Sequence, residues 1–481
     1  MTAAEFEFAP GPGDAPVQLD AYTGDGAVIG PLAPDRRPWA LESPAVKPDG
    51  TLVPTPAEPE DWEDPRVGWA VVLPERPGLD AAALARPDDA GEPIRALVDA
   101  RKGRVFRYRP GGTLSAWTLR DYAAGAQPLT ATATIGTEPG QLPAYLLLVG
   151  SPAEIPWHVQ YLLNPVRQVG RLDLDPAGLA NYVTALLSDW AGAGARYDAP
   201  VSWAVDTGAG DITTLMREAV TAPLAARFAA DADMTAHCYL DGSVTPATGA
   251  ALAAALAANR PALVVTSSHG MTGPLAEPEL MRSQLGMLVD QAHAVVRPEQ
   301  LLAGWAPDGA VWFAQACCSA GTESPSVYSG LFESGGLVAG VLDGVAALGA
   351  ATAPLPRALL GAAKPLRAFI GHVEPTFDWT MRFPPNRQRI TAGLQTALYD
   401  ELCTGTPVGL ALSPHYLPVG ALLFGYTQAR TAYNSAPFGA AGRAATAGAV
   451  DMAVYSKVTA YDRLSTVILG DPTVRIPTPV P

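Results

Sequence analysis

Short apolar runs of strand length recur along this 481-residue chain, with helical stretches between them. "AYLLLVG", "VSWAVD", "PALVVTSS" and "GAVWFAQA" are too short for buried helices and too continuously apolar for strands with one wet face. "YVTALLSDWAG", "ITTLMREAVTAPLAARFAAD" and "ATGAALAAALAANR" carry helical spacing, the second bent at Pro223. Such alternation buries both faces of the strands beneath helices. The expected fold class is α/β, a mostly parallel sheet with helices on both faces. In sheets of that kind, reacting groups gather beyond the carboxyl ends of the strands.

The first 130 residues follow a different grammar. They are rich in Pro, Gly and Asp and hold one clear strand, "GWAVVL". One helical pattern follows, in which Ile94, Leu97 and Val98 share a face. The division read from this is an irregular α+β N-terminal module over 1–130, a strand–helix lead-in over 131–195, and a core over 196–481.

Two of the strands are followed by residues that carry chemistry. His269-Gly270 follows "PALVVTSS", and Cys317-Cys318-Ser319-Ala320-Gly321 follows "GAVWFAQA". Neighbouring parallel strands lie about 5 Å apart, so an imidazole and a thiol leaving adjacent strands can meet. A thiol becomes a competent nucleophile when an imidazole takes its proton or stabilises the thiolate. Gly270 lets a carbonyl approach its N–H, and the N–H of Cys317 supplies a second donor for an oxyanion. The imidazole lies 48 residues upstream of Cys317, the order and distance found in caspases.

Other chemistries are excluded or disfavoured. A net charge of −15 repels nucleic acid and anionic lipid and attracts basic peptides. Four cysteines, two of them adjacent, make no disulfide framework and suggest a reducing cytoplasm. The N-terminus lacks the pattern of a secretory signal, and no apolar run is expected to span a membrane. His237 and Cys238 sit in a strand pattern and are read as core, and His372 in "FIGHVEP" as a structural histidine. No close set of three or four ligands suggests a metal, and no organic cofactor is expected. There is no G-x-S-x-G elbow and no phosphate-binding loop.

At these residues the chain resembles the caspase-type cysteine peptidases: caspases, metacaspases, gingipains and the bacterial CHAT proteases. "TSSHG" is similar to their histidine motif, and "QAC" is the triplet that precedes the caspase nucleophile. "YLLLVGSPAEIP" (145–156) and "STVILGDPTVRIP" (465–477) resemble pieces of the gingipain branch. The resemblance covers about residues 140–480 and implies a caspase-like core with endopeptidase activity. It implies His269 as general base and Cys317 as nucleophile, with Cys318 as the alternative that metacaspases favour. Gly270 and Cys317 would form the oxyanion hole. Cys-Ser-Ala-Gly replaces the caspase Arg-Gly after the nucleophile, so cleavage after Asp is not implied. Acidic residues at the strand ends, Asp206, Asp211 and Asp378, would instead select Arg or Lys before the cut; their bland reading is turn and helix capping. The expected partners are a protein or peptide substrate and an activating protease or signalling protein in a bacterial stress or defence cascade. The alternative is a catalytically inactive scaffold or binding protein on the same fold.

Overall fold

The apolar runs become strands because both of their faces find cover. The structure is a computed structural model and describes residues 17–22, 27–30, 57–110, 118–437 and 439–478. Its central sheet is built from β1 (Trp69–Pro74), β2 (Arg104–Tyr108), β3 (Thr118–Asp121), β4 (Gln127–Thr130), β5 (Tyr145–Val149), β6 (Gln168–Leu172), β7 (Val201–Ala204), β8 (Cys238–Asp241), β9 (Leu263–Ser267), β10 (Val311–Gln315), β11 (Ala368–His372) and β12 (Thr466–Gly470). The strand order is β8-β7-β9-β10-β11-β12-β6-β5-β1-β2-β3-β4. Eight neighbour pairs are parallel; β11–β12, β2–β3 and β3–β4 are antiparallel. The fold is thus α/β with a mostly parallel sheet of twelve strands.

Alternation along each strand divides the core. Trp69, Val71 and Leu73 of β1, with Tyr145 and Leu147 of β5, face one apolar cluster. Ala70 and Val72, with Leu146 and Leu148, face a second. Burying each such Val or Leu fully contributes roughly 1.5–3 kcal/mol relative to leaving it exposed. The last strand, β12, sits at the middle of the sheet. It runs antiparallel to β11 and parallel to β6, so the two halves of the sheet run in opposite directions.

The expected boundary near residue 130 falls inside this sheet, because β1 to β4 extend it beyond β5. Compact units divide instead at Met1–Pro56 and Ala57–Pro481. In the first unit an antiparallel hairpin joins Val17–Tyr22 to Ala27–Gly30; the rest of that unit, and residues 111–117 of the expected N-terminal module, lie outside the described residues. Helix Glu92–Arg101 buries Ile94, Leu97 and Val98, the face read from the sequence. Where a bend is expected, a turn of π-helix, Arg217–Thr221, joins helices Ile212–Met216 and Ala222–Ala230, and Pro223 lies in the first turn of the latter.

Before β12, helices Val419–Ser435 and Ala440–Ser465 form a long hairpin. Contrary to expectation, the stretch Val408–Ser435 is long and apolar enough, by length and composition, to cross a membrane. Val408, Ala411, Leu412, Tyr416 and Val419 in its first part are buried, whereas Leu417, Phe424 and Tyr433 are exposed.

Candidate active site

Strands β7, β9, β10 and β11 are mutually parallel, so their carboxyl ends share one edge. Asp206 and Asp211 follow β7, His269 follows β9, Cys317 follows β10, and Thr376 and Asp378 follow β11. Ser267 of β9 is paired with Gln315 of β10. His269 and Cys317 therefore stand two residues beyond matched positions.

Glycine makes the approach possible. His269–Gly270 pairs antiparallel with Leu288–Val289, and this short ladder lies against the turn that carries the thiols. A Cβ on Gly270 would come within 1.9 Å of the Cys317 carbonyl oxygen. A Cβ on Gly286, at φ +67°, would come as close to the carbonyl oxygen of Cys318. The Met271 N–H bonds to Met287 in this ladder. Antiparallel alternation then turns the intervening Gly270 N–H away from the partner strand.

The two thiols have different surroundings. Cys318 adopts φ +54°, which turns the chain sharply after β10. Its side chain is fully buried against Met281, Leu285, Val345 and Leu348. The Cys318 N–H donates to the backbone carbonyl of Glu374, and the Ala320 N–H to that of His372, so the turn is held on β11 and the residues just after it. Cys317 retains partial exposure, and both thiols are free. The Cys317 Sγ accepts the N–H of Thr376 at 3.4 Å. Burial pushes the Cys317 thiol up, and the Thr376 N–H opposes that rise.

His269 carries a partner that sequence reasoning did not give it. Its Nε2 lies 3.0 and 3.1 Å from the two carboxylate oxygens of Asp211. Asp211 also caps helix Ile212–Met216, accepting from the N–H and hydroxyl of Thr213. Burial would raise the Asp211 carboxyl, but those bonds and the His269 pairing outweigh it and hold the group well below the usual carboxylate range. With Nε2 held by Asp211, Nδ1 is the imidazole nitrogen left for a thiol or substrate. Among the described residues no hydrogen bond joins His269 to Cys317, a looseness common in substrate-free sites.

The other two acids are already neutralised. Asp206 accepts from Thr214 Oγ1 at 2.6 Å, from the Gly208 N–H at 3.0 Å and from Arg217 Nε at 2.9 Å. Arg217 also reaches Asp241 at 3.5 Å. Asp378 pairs with Arg382 at 3.2 Å, and its side chain remains 44% exposed. It sits two residues beyond Thr376, which touches the Cys317 sulfur.

Two buried carboxyls lie behind the thiol turn. Glu374 accepts from Ser326 Oγ at 2.8 Å and from the Val327 N–H at 3.0 Å. Burial pushes it up to about 7. Asp462 lies 3.8 Å from His372 Nδ1. Burial raises Asp462 to about 7 and lowers His372 to about 4. Burial thus disfavours the ion pair: it favours the neutral form of both His372 and Asp462. Asp211, Glu374 and Asp462 lacked any sequence signal for these contacts beyond the capping position of Asp211. Among the described residues, no three His, Cys, Asp or Glu side chains converge to hold a metal.

No family model matches this chain, and neither the curated proteins nor the solved structures contain a match to it.

Proposed function

We propose that the protein is a caspase-like cysteine endopeptidase in which Asp211, His269 and Cys317 act in sequence. The observation that carries this reading is the His269–Asp211 pair, at 3.0 Å, beside Cys317, a partly exposed residue that follows the next parallel strand. Asp211 holds the proton on Nε2, leaving Nδ1 as the base. Nδ1 takes the Cys317 proton, and the sulfur attacks the scissile carbonyl carbon. The N–H groups of Gly270 and Cys317 hold the resulting oxyanion. The imidazolium returns the proton to the leaving amine as the C–N bond breaks, giving a thioester. His269 then draws a proton from water, which releases the acid and restores the thiol.

The resting thiol is buried enough to favour its protonated form. That supports a latent enzyme, activated by substrate or by a second protein. Of the three acids, Asp378 has the most exposed side chain, and an incoming Arg that displaced Arg382 from it would be selected before the cut.

The second reading, an inactive scaffold, draws on the absence of a His269–Cys317 hydrogen bond among the described residues. An acyloxymethyl-ketone peptide probe ending in Arg separates the two. Labelling is expected in the wild type and in Cys318→Ala, and lost in Cys317→Ala. Absence of labelling in the wild type after limited proteolysis and peptide addition would favour the scaffold.

A further inference from the structure

A cavity of about 420 Å³ opens between the helical hairpin and the loop 327–331. Val327, Leu331, Ala453, Val454 and Val458 line it with apolar surface, and tyrosines ring it. Arg430 and Lys457 stand at its rim, both exposed, and no carboxylate is among its lining residues. Neither cation has a carboxylate within ion-pair range among the described residues. Arg430 stands over the ring of Tyr426, and Lys457 over those of Tyr426 and Tyr461, 5.8 to 5.9 Å away. On a chain of net charge −15, two unpaired cations over an apolar cavity are selective for a negative group on an apolar body. The size is that of a small-molecule site.

The cavity wall is joined to the thiol. Tyr328 packs edge-on against Phe377, with ring centroids 5.0 Å apart, and Phe332 packs on Phe377 at 5.5 Å. Phe377 follows Thr376, whose N–H bonds to Cys317 Sγ. Glu374 ties Ser326 and Val327, at the head of the loop, to the end of β11.

We propose that this cavity is a regulatory site for a single-chain amphipathic carboxylate, its acyl chain between loop 327–331 and the hairpin and its carboxylate on Arg430 and Lys457. An occupant presses Tyr328 more firmly into its existing contact with Phe377 and so tightens the Thr376 N–H on the sulfur, favouring the thiolate. The binding half of this proposal stands without the peptidase reading. The coupled half is read on the thiol itself, so its failure is distinct from failure of catalysis.

The test uses dodecanoate and the full chain. Calorimetry is expected to show one saturable site that dodecanol fills more weakly. Arg430→Gln with Lys457→Gln, both surface changes, should weaken dodecanoate by about fivefold or more and leave dodecanol unchanged. Ala453→Trp should fill the cavity and abolish binding; a melt with the wild-type midpoint certifies that variant, and the double variant decides if it fails to fold. Iodoacetamide alkylation of Cys317, followed by mass spectrometry, should quicken severalfold with dodecanoate in the wild type but not in the double variant. Dodecanoate binding that is undetectable, or indifferent to both sets of substitutions, overturns the site. Association only with dodecanoate-containing vesicles, and not with free dodecanoate, overturns it in favour of a membrane surface. Binding without any change in alkylation overturns the coupling.

Discussion

The residue that changes most between sequence and structure is Asp211. As a pocket acid it would meet the substrate; as the partner of His269 Nε2 it sets which imidazole nitrogen carries the proton. Asp211→Asn should lower kcat/KM roughly 100-fold or more through the wrong tautomer, with alkylation of Cys317 by iodoacetamide largely retained. Equal loss of both would mark a folding defect instead. Asp462 makes a second prediction. Its carboxyl goes from an unfolded value near 3.8 to about 7 in the fold. The unfolded chain thus binds fewer protons between those values. The stability contributed by this group is present below about pH 4 and lost as pH rises through 7. His372 acts oppositely, from 6.5 down to about 4, losing stability as pH falls through that window. In chemical unfolding, Asp462→Asn should lose less stability than the wild type between pH 5 and 8. A parallel decline in both would remove Asp462 as the source.

Among elements, the site depends on a short β-ladder pressed onto a turn. His269–Gly270 and Leu288–Val289 approach the Cys317–Cys318 backbone so closely that Gly286 has no room for a methyl group. Gly286→Ala adds a Cβ 1.9 Å from a backbone oxygen at a left-handed position. The expected cost is about 2–4 kcal/mol, with probe labelling of Cys317 reduced although no reacting group is altered. Denaturant midpoints and labelling rates measured together check this. Strands β9 and β10 were legible from their apolar runs, and so was the position of His269 and Cys317 after them. The ladder was not, because its second strand spans only two residues inside a loop of mixed composition. The π-turn at 217–221 was likewise hidden, since proline explains a bend without specifying its hydrogen bonds.

For the whole molecule, the decisive element is the strand that comes last. β12 joins two half-sheets of opposite direction, and the residue after it, Asp471, ties its end to β1 and to helix Glu92–Arg101. Its buried carboxylate accepts from Trp69 Nε1 at 3.0 Å, from Arg101 Nη1 at 3.1 Å and from the Thr473 N–H at 2.9 Å. "LGDP" thus has a structural role in this chain. Asp471→Ala would strand a buried indole N–H and a nearly buried guanidinium, at about 3–5 kcal/mol, and thermal unfolding should drop accordingly while Cys317→Ala leaves it nearly unchanged. The apolar, helix-punctuated pattern by itself determined the α/β class, the strands on either side of the site, and which residues leave their ends. Strand alternation and helix period are local properties, readable wherever they occur. Which cysteine keeps some exposure, which nitrogen of His269 is occupied, and where the strands between residues 69 and 130 join the sheet were decided only by the tertiary structure. Those contacts unite residues 58 to 402 positions apart; strand order and helix placement bring them together, and no local pattern encodes either.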